Sequence, residues 1–317
     1  MTKKKRIILL ISVCAVCAAI LTLGIYFGVR DYIKNHPHFT IEDTLPEGKG
    51  QKAKVVLLAG QSNAAGCSHV PYLKQKVSAE KFGEYQSGYD NIYINYFSTG
   101  FNLSEGFVKA AVGQGDTPDY FGPEVGIAER LHETCPDDLI FIIKYAWSGT
   151  DLFSQWLSPS SEGKTGNLYR DFIRFVKENM DYLASKGYDA EIEAMCWMQG
   201  ESDSFSVENA TNYETHLTNF IADMREDLSS YAAADGIGFV DAYIAANPMY
   251  WVYCDLVNAS KKAVADASDR NVLIDTNAAG LHCSEEPVPT PDMAHYDSES
   301  QILLGNLFAD QVAAFFD

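Results

Sequence analysis

Ser62 stands where four aliphatic residues, Val55 to Leu58, pass through Ala59-Gly60 into polar Gln61-Ser62-Asn63. That is the pattern of a doubly buried strand running into a tight turn. A serine on such a turn presents its hydroxyl to a substrate while its own N–H faces the same way, the geometry of a nucleophile; the same Ser62-Asn63 pair also serves to cap a helix. Near the other end of the chain, Asp292 and His295 are three residues apart, so both side chains reach one side of a turn. A carboxylate beside an imidazole fixes its tautomer and stabilises it as it takes a proton, which is the chemistry of a general base. Two further blocks carry donors. In Trp197-Met198-Gln199-Gly200-Glu201-Ser202-Asp203, Gln199 has an amide N–H to offer a developing oxyanion, and Glu201 or Asp203 carboxylates to fix neighbouring donors. In Ser148-Gly149-Thr150, the glycine can turn its N–H toward an oxygen without obstruction.

These residues need a scaffold that gathers distant segments. Besides the strand before Ser62, the runs Asn91–Phe97, Leu139–Tyr145, Ile192–Met198, Ile237–Val240 and Val272–Asp275 read as strands, and Val125–Leu131, Leu168–Leu183, Tyr213–Leu228 and Ile302–Phe316 as helices. Leu168, Phe172, Phe175, Val176 and Leu183 keep a stripe of helical period, with Arg170, Arg174, Lys177 and Glu178 turned outward. Strands separated by helices predict an α/β domain with a central, mostly parallel sheet, and all four chemical blocks but the last directly follow strands, at the edge where such sheets bind ligands. The segment Tyr120 to Glu124 reads as a helix start, with proline in its first turn and Glu124 beside the positive dipole end.

Lys3, Lys4, Lys5 and Arg6 precede an apolar run from Ile7 to Val29. The run is about as long as the roughly 20 residues that cross a bilayer and longer than a signal-peptide core, so residues 1–30 are expected to be a basic flank and one transmembrane helix, with a cleaved signal as the alternative. The basic side stays cytoplasmic, which puts a stem at 31–52 and the domain at 53–317 outside the cell. The formal charge of −19 argues against nucleic acid as a partner and leaves the N-terminal helix as the expected membrane contact. Of seven cysteines, Cys67, Cys135, Cys196, Cys254 and Cys283 lie beyond that helix without a disulfide framework, a single Cys254–Cys283 bridge being compatible with the sequence. No histidine or cysteine spacing suggests a metal, and none is expected. No protein partner is evident.

Taken together and in order, GQSN at 60–63, the glycine loop at 148–150, WMQGESD at 197–203 and DMAH at 292–295 resemble the SGNH hydrolase superfamily, in the branch of sialate O-acetylesterases and family 6 acetylxylan esterases. Phe121 to Glu124 is similar to that branch as well. The resemblance spans Val55 to Phe316 and implies a three-layer α/β/α sandwich of flavodoxin-like type and removal of acetyl groups from carbohydrates, without a cofactor. By position it implies Ser62 as nucleophile, His295 as base, Asp292 as its orienting carboxylate, and the Ser62 N–H, Gly149 N–H and Gln199 amide as the oxyanion hole, supported by Gln61, Asn63 and Glu201. Ser148 departs from the branch, which commonly has a second glycine there. An α/β-hydrolase would show GxSxG, which Gly60 to Ala64 does not. A binding ectodomain without turnover and a sugar O-acetyltransferase remain as other readings. Tyr120, Phe121, Trp147, Phe153 and Trp156 lie near the blocks in sequence and are candidates to stack on a sugar or to fill the core.

Overall fold

Residues 39–316 are described by the structure, a computed structural model. The expected transmembrane helix lies outside the described residues, and no described helix is long and apolar enough to cross a membrane. The compact unit begins at Thr40. Much of the expected stem therefore belongs to it: Gly48 N donates to Lys186 O at 2.8 Å, and Tyr182 and Tyr188 hydroxyls bind Leu45 N and Pro46 O.

Six strands run parallel: β1 (Lys52–Gly60), β2 (Ile92–Ser98), β3 (Ile140–Ala146), β4 (Asp189–Met198), β5 (Gly238–Ala242) and β6 (Asn271–Ile274). Their order across the sheet is β6-β5-β4-β1-β3-β2, and two-residue antiparallel strands at Asn102–Leu103 and Val108–Lys109 join the β2 edge. The expectation of a mostly parallel α/β sheet holds. Val55 to Ala59 and all of β3 are buried, which is why these strands read as apolar runs, broken in β3 by Lys144 alone. Chain order reverses about β1, whose neighbours are β3 and β4. The three loops that leave this central trio are those after Gly60, Ala146 and Met198, and they meet at one edge.

The helices that matter for the site are α1 (Ser62–Ala65), α2 (Glu124–Thr134), α3 (Asn167–Ser185), α4 (Val207–Asp227), α5 (Cys254–Asp266) and α6 (Ser298–Ala313). The expected stripe of α3 is buried throughout. Cys254 and Cys283 are free thiols, so the bridge allowed by the sequence is not formed.

Candidate active site

Gly60 sets the turn after β1. Its φ is 141°, and a Cβ there would stand 2.0 Å from Met198 O, so β1 and β4 approach too closely for any side chain. Gln61 N then donates to Met198 O at 2.9 Å, and α1 makes a single turn in which Ala65 N binds Gln61 O at 2.7 Å. Ser62 lies in this turn, 7% exposed.

The Asp292–His295 segment is brought to the same place by Asn63. Asn63 Oδ1 accepts from Tyr296 N at 3.2 Å, its Nδ2 donates to Glu201 Oε1 at 2.8 Å, and its carbonyl accepts from Gln301 Nε2 at 2.9 Å. The residue after the serine is thus bonded to the residue after the histidine, across more than two hundred positions of chain. Asp292 turns on itself, Oδ1 accepting from Ala294 N at 3.0 Å, which leaves Oδ2 for His295 Nδ1 at 2.6 Å. Opposite a carboxylate, Nδ1 carries the proton and Nε2 is free to accept one.

Burial works against the charged form of His295, but the Asp292 hydrogen bond and the Cys67 sulfur beside the ring outweigh it, and its pKa is raised above the ordinary 6.5. The same hydrogen bond, with some opposition from burial, holds Asp292 below the usual carboxylate range. Cys67 Sγ also points at Asp116 Oδ2, 3.8 Å away, and Ser148 Oγ donates to that oxygen at 2.9 Å. Thr99 Oγ1 binds Asp116 and Ser148 as well. The serine that departs from the family pattern therefore ties the Gly149 loop to this rim.

Gly149 is exposed with φ 71°, and a Cβ on it would meet nothing within 4 Å. Among the described residues, the backbone N–H groups of Ser62 and Gly149 have no protein acceptor. Gln199 differs from its expected place. It is fully buried, its Nε2 directed to Thr150 O at 2.9 Å and Asp203 Oδ2 at 2.6 Å, while Oε1 accepts from the Tyr213 hydroxyl at 2.9 Å. Both amide hydrogens are engaged inside the protein, which corrects the expectation that they face an oxyanion. Gln61 shows the opposite state: Oε1 accepts from Gly200 N and Ser202 N at 3.3 and 3.1 Å, while its Nε2 donates to no described residue. Glu201 is buried, which raises its pKa; one oxygen holds Asn63 and the other has no partner among the described residues.

Lys144 went unnoticed in the sequence because it interrupts an apolar strand by one residue. Wholly buried, its ammonium donates to Ala65 O, Gln114 O and Glu124 Oε2, each at 2.8 Å. Glu124 Oε1 in turn accepts from Gly122 N at 2.8 Å. One cation thus holds the end of the Ser62 turn, the loop before Asp116 and the start of α2. Among the aromatic candidates, Phe121 and Trp156 are core, and Tyr120, Trp147 and Phe153 are half-buried.

One group among the described residues brings metal-type ligands together, His282, Glu285 and Asp297 within 4.8 Å. Asp297 there accepts from His282 Nδ1 and from the backbone N–H groups of Ser284, Glu285 and Glu286, which is the work of a loop anchor.

A family described as carbohydrate esterase, sialic acid-specific acetylesterase, matches residues 52–314. The chain belongs to this family. A "probable carbohydrate esterase" of Arabidopsis thaliana is 26% identical over 129 residues, which are 38% of this chain and 45% of that relative, so the match spans less than half of the curated protein. The crystal structure of the Arabidopsis protein covers 83% of this chain and 99% of its own, with TM-score 0.58 and 20% identity. NanS gives TM-score 0.62 at 13% identity, covering 85% of this chain and 98% of its own. A carbohydrate acetylesterase from Xanthomonas citri gives 0.52 at 15%, covering 82% and 56%. At these identities the likeness is one of fold, and the esterase family's α/β sheet is the one described above.

Proposed function

We propose that this chain is a serine esterase that removes O-acetyl groups from carbohydrates. The observation that supports it most is the fastening of Asn63, next to Ser62, to Tyr296, next to His295, with a second bond to Gln301 of α6; it ties the Ser62 turn to the loop whose imidazole is oriented by Asp292. Ser62 Oγ attacks the acetyl carbonyl while His295 Nε2 takes its proton. The oxyanion is received by the Ser62 and Gly149 N–H groups, both without a protein acceptor among the described residues, with the Gln61 amide beside them. Collapse of the intermediate breaks the bond to the sugar oxygen, which leaves with the proton from His295. Water, deprotonated by the same imidazole, then releases acetate and frees Ser62. Gln199 shapes the site from behind, through Thr150 and Asp203. With residues 7–29 as an anchor, the substrate is an acetylated glycan outside the cell.

The test is turnover with covalent capture. The domain should release acetate from 4-nitrophenyl acetate, and a fluorophosphonate should stop turnover and add to Ser62, read by peptide mass spectrometry. A label on another residue, or none with full inhibition absent, removes the mechanism.

The pH dependence has a definite sign. His295 must be neutral to accept a proton, and its pKa is raised, so kcat/KM should climb with pH through a limb above 6.5. Cys67→Ala removes one of the groups that favour the imidazolium, so the limb should move to lower pH. By linkage, the stability that His295 contributes is full below 6.5 and is lost as pH rises through the raised value. A limb unmoved in Cys67→Ala would mean that the thiol has no electrostatic hold on the base.

A further inference from the structure

Between α4 and the loop that follows Gly149 lies a cavity of about 480 Å³, separate from Ser62. One wall is a single face of α4, where Glu208, Asn212 and His216 recur at intervals of four. Phe153 and Lys164 contribute to the other. Deeper along the helix the loop is closed onto it, since Ser160 N and Oγ donate to Asp223 Oδ2 at 2.8 and 2.9 Å and Asn219 Nδ2 donates to Ser161 Oγ at 3.1 Å. The opening is therefore held by these hydrogen bonds between loop and helix.

His216 is the decisive residue. It is only 9% exposed, its ring lies against Phe153 with centroids 5.5 Å apart, and neither ring nitrogen has a hydrogen-bond partner among the described residues. Neither nitrogen is sealed off from solvent: both open toward the cavity, where water or the hydroxyl of a ligand meets them. Burial lowers its pKa, so at neutral pH the ring offers one donor and one acceptor. Asn212 is steadied by its Nδ2 on Glu208 O at 2.8 Å and keeps its amide oxygen for another group. An aromatic face, a neutral imidazole, an amide and flanking carboxylates match a pyranose ring, whose C–H face stacks on an aromatic and whose hydroxyls both donate and accept.

The cavity is mechanically joined to the reaction site. Leu152 N and Phe153 N donate to Asp203 at 2.9 and 3.2 Å, and Asp203 also takes the Gln199 amide. Gly149 lies four residues before Phe153 on the same loop.

We propose that this cavity is a subsite for a second, non-reacting sugar of a glycan chain whose acetylated unit lies at Ser62; it rests on the carbohydrate-esterase reading. The substrate is then an oligomer or polymer in preference to a free monosaccharide.

The experiment compares wild type with the double variant His216→Ala/Asn212→Ala, neither residue being in the catalytic machinery, on 4-nitrophenyl acetate and on O-acetylated monomers and hexamers of xylose, mannose and sialic acid. Wild type should favour at least one hexamer over its monomer by about tenfold in kcat/KM, the worth of about 1.4 kcal/mol. The double variant should lose that preference, with aryl acetate turnover within about twofold and an unchanged thermal midpoint. A wild type without any chain-length preference, or a double variant that keeps it, overturns the subsite. If wild type fails on aryl acetate, it is the esterase reading that falls, and calorimetry with the unacetylated hexamers then decides the subsite: binding lost in the double variant supports it, and no binding or equal binding overturns it.

Discussion

Replacing Ser62 by alanine is expected to lower kcat/KM for 4-nitrophenyl acetate by about 10⁴-fold or more, while the thermal midpoint stays where it is. The two halves of this expectation have separate causes. The loss of turnover follows because the imidazole has no other hydroxyl on the α1 turn to activate, and what remains is the smaller effect of the oxyanion donors and of binding. The unchanged stability follows because Ser62 Oγ has no hydrogen bond to any described residue, so its removal leaves no buried partner unsatisfied. A binding protein with this fold would show no wild-type turnover to lose. Substantial activity remaining in Ser62→Ala would redirect attention to Cys67, the other nucleophile beside His295, and Ser62→Ala/Cys67→Ala would decide between them.

The positions of the site's strands were readable because burial on both faces leaves a simple trace: largely apolar runs, each followed at once by polar or small residues, as after Leu58 and Met198. Asp292 and His295 were readable as a pair because the spacing of three is local. What the residue pattern does not carry is the direction of a side chain at a crowded edge. Gln199 occupies the expected loop, yet Tyr213 from α4 and Thr150 from the neighbouring loop capture its amide, and neither partner is near it in sequence. Helix α5 escaped notice because its buried face includes Ser260 and Lys261, which break the apolar period. Lys261 is buried only by pairing with Asp241 at 2.5 Å, a partner twenty residues away. Asp116 and Cys67 belong to the same class, ordinary residues in sequence that the folded loops bring beside the base.

Lys144→Met should be the most damaging substitution outside the reacting groups, lowering stability by about 3 to 5 kcal/mol and the thermal midpoint by about 10 °C. Methionine fills the aliphatic volume but leaves Glu124 as an unpaired charge in a site where both side chains are 0% exposed. It also strips Ala65 O and Gln114 O of their shared donor. Adding Glu124→Gln removes the orphaned charge, and the pair should recover roughly half of the lost stability, since a buried ion pair broken on one side costs more than one removed on both. Activity should not recover with it. Ala65 closes the turn that carries Ser62, the proposed nucleophile, and without the ammonium that turn loses one of its fastenings, so the refolded double variant should stay about 10- to 100-fold down in kcat. Measured well below both midpoints, a double variant with wild-type kcat would mean that Lys144 serves folding alone; a kcat deficit that persists after stability has partly returned would place the cation in the positioning of the serine.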